Sequence, residues 1–146
     1  MTIQIDTREK QRAIKKIIAC FDSNKVKYFS SKLPIGDYMS LDNPRLVVDR
    51  KQNLGELCTN LCSKDSSRFW REIRKAKNYG IKIVFLCEHG PSVQKIEDVS
   101  KWSSPFTTVS GRDLMEKIYS CHISYGVDFL FCNKNQTGER IMEILR

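Results

Sequence analysis

The segment Ile81-Lys82-Ile83-Val84-Phe85-Leu86 constrains the fold more than any other, because a nearly unbroken apolar run of this length fits a strand covered on both faces. Such a strand sits centrally in a sheet with helices on either side. Around it the chain alternates strand-like and helix-like patterns. Ile3-Gln4-Ile5 reads as a strand delivering the polar cluster Asp6-Thr7-Arg8-Glu9-Lys10 to its C-terminal edge. Ala13, Ile14, Ile17, Ile18 and Phe21 then give a helical stripe over 11–21.

Three β-prone pieces follow at 26–29, 36–41 and 46–49, separated by Pro34, Gly36 and Asn43-Pro44, and they read as a β-meander. Leu54, Leu57 and Leu61, then Phe69, Ile73 and Ala76, trace one or two helices broken near 63–67 and stopped at Gly80. The stretch 88–109 is irregular, with a short helix within 93–102. Ser110 with Asp113 marks a helix start, 127–131 is a second buried-strand candidate, and 138–145 a closing helix. The expected order is an α/β domain with a mixed sheet, which gathers its charged residues at strand ends.

The 146 residues suit one domain, 1–146. Twenty-five Lys and Arg against 17 Asp and Glu leave a net charge of +8, a balance suited to a polyanion, with acidic proteins and anionic lipid as alternatives. No run reaches the roughly 18–20 apolar residues of a membrane span, and the start lacks signal-peptide order, so an intracellular protein is expected. Cys20, Cys58, Cys62, Cys87, Cys121 and Cys132 lie singly in apolar segments, as reduced core thiols do. Neither His89 nor His122 has triad-like spacing, and no Gly-rich phosphate loop is present.

The chemistry concentrates in Gly36-Asp37-Tyr38 and Val48-Asp49-Arg50-Lys51. Alternation points residues 49 and 51 to one side of a strand, and hairpin pairing of the two pieces sets Asp37 opposite Asp49. Two carboxylates and one ammonium on one point suit a divalent cation bound through hard oxygen ligands, with Lys51 placed to orient or activate water. An ordinary solvated Asp/Lys pair on edge strands gives the same short pattern.

The wider set Asp6-Thr7-Arg8-Glu9, Gly36-Asp37-Tyr38, Val48-Asp49-Arg50-Lys51 and Arg68, in this order, resembles the nuclease domain of the XPF/MUS-type structure-specific endonucleases. This is a branch of the PD-(D/E)xK restriction-endonuclease-like superfamily, and the likeness covers at least 3–87. The resemblance implies a Mg²⁺-dependent endonuclease, with Mn²⁺ substituting, that hydrolyses DNA by in-line attack of metal-activated water. It implies metal ligands at Asp37 and Asp49 joined by the Arg50 backbone carbonyl, with Lys51 assisting the water. Asp6 and Glu9 stand beside the same metal, with Glu9 as a further ligand, and Arg8 and Arg68 are phosphate contacts. It also implies a homodimer or a partner subunit.

Asp49 is one methylene shorter than the usual Glu of the third motif. Gly55 replaces a frequent acidic residue, and Glu56, one later, receives no catalytic role. The relatives' tandem helix-hairpin-helix domain finds no counterpart in 146 residues. Between Lys64 and Lys82, seven basic residues against Asp65 and Glu72 place +5 of the total +8 on one segment, making Lys64, Arg68, Arg71, Arg74 and Lys75 the expected DNA-binding face. Phe69, Trp70 and Tyr79 read as core or dimer contacts rather than base-stacking platforms. A non-catalytic DNA-binding or dimerising subunit is the alternative reading, and a small RNA-binding protein a third.

Overall fold

In the computed structural model, which describes residues 1–64 and 66–146, the run Lys82–Cys87 forms strand β5 with every residue after Lys82 buried. Asp65 lies outside the described residues. β5 pairs in parallel with β4 (Asn43–Lys51) on one side and β6 (Asp128–Phe131) on the other. Its alternate side chains enter two different cores. Ile83, Phe85 and Cys87 pack with α2 (Leu54–Cys62), α3 (Ser67–Tyr79) and α4 (Gly111–Tyr125), while Leu86 packs with α1 (Lys15–Ser23) and α5 (Thr137–Leu145). Both faces need apolar side chains, so no polar alternation survives in the sequence.

The sheet is mixed and six-stranded, in the order β2-β1-β3-β4-β5-β6, with β1 at Thr2–Ile5, β2 at Lys27–Ser30 and β3 at Tyr38–Ser40. β3 runs antiparallel to both neighbours and the other pairs are parallel. The expected meander is therefore half right. β3 and β4 form a hairpin, but β2 lies beside β1, in parallel, because α1 intervenes and carries the chain back to the starting edge.

Other expectations shift for local reasons. Asn43-Pro44 belongs to β4 instead of breaking it: a register shift between Met39 and Ser40 accommodates the proline, which has no N–H to pair. The 11–21 helix splits into a 3₁₀ turn (Gln11–Ala13) and α1, since Ile14 leaves helical geometry and turns its side chain into the core. The 93–102 segment holds a 3₁₀ helix, Ile96–Lys101. β6 is an edge strand with Leu130 facing outward, not a fully covered one. The α4 limits agree with the sequence: Ser110 accepts from the Asp113 N–H and Gly126 closes the helix in the left-handed region. No described helix is long and apolar enough to cross a membrane.

Candidate active site

The C-terminal ends of β1, β4 and β5 and the start of β3 meet at one edge of the sheet. Tyr38 stands opposite Val48, which brings Asp37 beside Asp49. Asp37 is fixed by its backbone: its N–H donates to the Val48 carbonyl at 2.8 Å and its carbonyl accepts from the Asp6 N–H at 2.8 Å. One of its carboxylate oxygens accepts from the Arg50 N–H, also at 2.8 Å. Asp37, Asp49 and Lys51 face a cavity of about 410 Å³, with Arg8, Glu9 and Arg68 also on its wall.

Burial, with Asp49 and Glu9 close by, pushes the Asp37 carboxyl well above the ordinary carboxylate range, and the Arg50 N–H and Lys51 only partly offset this. A group of carboxylates held this way lacks positive charge. Lys51 supplies some of it: its Nζ lies 3.4 Å from Asp49 Oδ1 and over the rings of Phe69 and Phe85, at 5.5 and 5.6 Å from their centres. Burial alone would lower its pKa, but Asp49, Glu56 and Asp37 outweigh that and hold it above the ordinary lysine value.

Arg50 points the other way, as strand alternation requires. Its guanidinium bonds Glu9 at 2.7 and 3.1 Å and Glu88 at 2.6 Å, and Glu88 accepts in turn from the Thr137 hydroxyl at 2.6 Å. The Tyr38 hydroxyl donates to Glu9 at 2.7 Å. Glu9 therefore borders the cavity with both oxygens already engaged, and the Arg50 side chain works as a buried clamp.

Asp6 is separated from the site. Fully buried and off the cavity wall, it accepts from the Leu33 N–H at 2.7 Å, from the Arg8 N–H at 3.1 Å and from Arg8 Nε. Burial raises its pKa, but the bonds from Arg8 and Leu33 outweigh this and hold the carboxyl below the ordinary aspartate value.

The basic segment also divides. Arg68 reaches the cavity, while Arg71 and Lys75 line the depression next to it. Lys64 borders another depression, beside Asp113 and Glu116, and Arg74 belongs to neither wall of the site. Of the aromatics, Phe69 is core and Trp70 packs on Phe69 and Tyr125, but Tyr79 is 67% exposed. Glu56, given no role from sequence, is on the cavity wall with Asn60, whose Oδ1 is buried without a hydrogen-bond partner among the described residues. Their i, i+4 spacing on α2 was the available signal.

A family model, the ERCC4 domain, matches residues 5–144. The chain belongs to the ERCC4 domain family. Its fold is similar to that of XPF from Aeropyrum pernix, with a TM-score of 0.73 at 18% identity over 100% of this chain and 64% of that one. The same protein in complex with DNA gives 0.71 at 19% identity, over 99% of this chain and 63% of that one. The chain thus spans just under two thirds of the length of these structures. No curated protein matches it significantly. This shared fold agrees with the mixed α/β sheet flanked by helices, restriction-endonuclease-like, that the sequence resemblance implied.

Proposed function

We propose that this ERCC4 domain is a metal-dependent endonuclease that hydrolyses DNA phosphodiester bonds, acting on branched or otherwise structured DNA. The observation that carries the reading is the convergence of Asp37, Asp49 and Lys51 in one open cavity bordered by Arg8 and Arg68. That the XPF neighbour has been solved with DNA supports the choice of substrate class.

The donor set fits a hard divalent cation, Mg²⁺ or Mn²⁺. Among the described residues no three His, Cys, Asp or Glu side chains form a closed metal cage. Two carboxylates, with the Arg50 carbonyl that the resemblance implies, would leave room for waters and phosphate oxygens, the kind of incomplete protein shell that Mg²⁺ accepts. Asp37 and Asp49 would hold the cation, which would supply Lewis-acid chemistry, offsetting charge on phosphorus and lowering the pKa of water. The chain's own residues do the rest. The Arg50 N–H fixes one Asp37 oxygen and leaves the other for the cation. Lys51, held over two rings, donates to the attacking water or to a phosphate oxygen. Arg8 and Arg68 neutralise the non-bridging oxygens and hold the scissile phosphate. Specificity in this reading comes from the chain's own surface, a second copy or a partner subunit.

Asp37→Ala and Asp49→Ala should each abolish Mg²⁺-dependent cleavage of flap or junction DNA while preserving the circular dichroism spectrum. Full activity in either variant overturns the assignment. Failure of Mn²⁺ to bind the unaltered protein, with the fold intact, favours a non-catalytic binding subunit.

A further inference from the structure

A second depression, of about 770 Å³, adjoins the metal cavity. Arg8, Arg68 and Glu72 line both, so the two form one continuous channel. Its far part runs between Lys32 and Pro34 on one wall and Arg71 and Lys75 of α3 on the other. Five cations thus face a channel end where Glu72 is the one acidic lining residue among those described, and Glu72 is paired with Arg8 at 3.3 Å. Lys32, Arg71 and Lys75 take part in no ion pair among the described residues.

The channel is built, not incidental. The loop carrying Lys32 is pinned from beneath: Asp6 accepts from the Leu33 N–H, and the Gln4 side chain donates to the Ser31 and Lys32 carbonyls at 3.3 and 3.2 Å. Asp6 fixes the Arg8 N–H as well, so one buried carboxylate sets both the junction of the channel and its loop wall. On α3, Arg68 and Lys75 are seven residues apart, two helical turns or about 10 Å along the axis. One DNA strand presents about three phosphates over that length.

We propose that this channel seats the DNA backbone on one side of the scissile phosphate, with Lys32 and Lys75 as phosphate contacts and Asp6 holding the loop that carries Lys32. The inference rests on the nuclease reading for the place of the scissile phosphate. It assigns Lys32, outside every basic run of the sequence, to the binding surface, and takes Asp6 away from the metal.

The test measures the affinity of metal-free protein, in EDTA, for a fluorescently labelled flap DNA across a salt series. The unaltered chain is compared with Lys32→Ala, Lys75→Ala and a control of equal charge change, Lys101→Ala, on the exposed turn packed against α4. Lys32→Ala and Lys75→Ala should each weaken binding severalfold and flatten the log–log salt slope by about 0.9, whereas the control leaves the slope unchanged. Equal losses in all three variants would mean diffuse charge and overturn the proposal, as would unchanged binding in the first two. Cleavage by the unaltered protein with Mg²⁺ is read separately. Its absence defeats the nuclease reading, while the binding comparison in EDTA stands or falls on its own.

Discussion

Arg50 divides its work between backbone and side chain, and the division follows from strand alternation. Its N–H fixes Asp37, while its guanidinium, 5% exposed, lies between Glu9 and Glu88. Removing that cation strands two buried carboxylates. Arg50→Ala should cost about 3–5 kcal/mol in urea denaturation, the scale for breaking a buried ion pair by deleting one partner. Arg50→Lys should recover only part, because an ammonium cannot bridge both carboxylates with a planar fork. Sequence could say that residues 49 and 51 share a side and that residue 50 opposes them. It could not say what Arg50 meets, since Glu9 and Glu88 lie 41 and 38 positions away and only the sheet brings them near. Asp6 carries the same lesson. The family resemblance set it beside the metal with Glu9, yet one β-strand step past Ile5 its carboxylate turns toward Leu33 and Arg8.

Among the elements, the β3–β4 hairpin determines whether a site exists. Gly36 enters it with φ +76°, and a Cβ there would sit 2.9 Å from Val47 Cβ and Cγ2. Gly36→Ala should therefore lower stability by about 2–3 kcal/mol and remove cleavage, because relief of the clash displaces the adjacent Asp37. Gly126→Ala provides the comparison: its φ is +68° but nothing lies within 4 Å, so about 1 kcal/mol is lost and cleavage remains. Thermal unfolding and a Mg²⁺ cleavage assay on both variants check the pair of expectations. The hairpin was legible because turn residues and alternation are local. The parallel pairing of β2 with β1 was not, since the path of α1 decides it and helix packing is non-local. The helical register of α3 likewise separated Arg68 and Lys75 from Arg74, which charge counting had joined.

For the molecule as a whole, the +8 charge matters through its placement. Five cations on one channel predict that binding to plain duplex in EDTA weakens steeply with salt, with a log–log slope of about −4.5; a slope shallower than about −1 would show that the channel is not engaged. By itself the sequence determined the layered α/β plan, because apolar periodicity reflects which faces must be buried. Alternation also set Asp37, Asp49 and Lys51 on one side of a hairpin, because these residues are close in the chain and the pairing register is local. Only the tertiary structure decided that Arg50 is a clamp, that Asp6 serves a loop, that Glu56 and Asn60 border the cavity, and that Lys32 joins α3 across a channel. Each of those facts is a meeting of residues from elements far apart in the chain, and such meetings depend on how the sheet and helices pack, which no local pattern encodes.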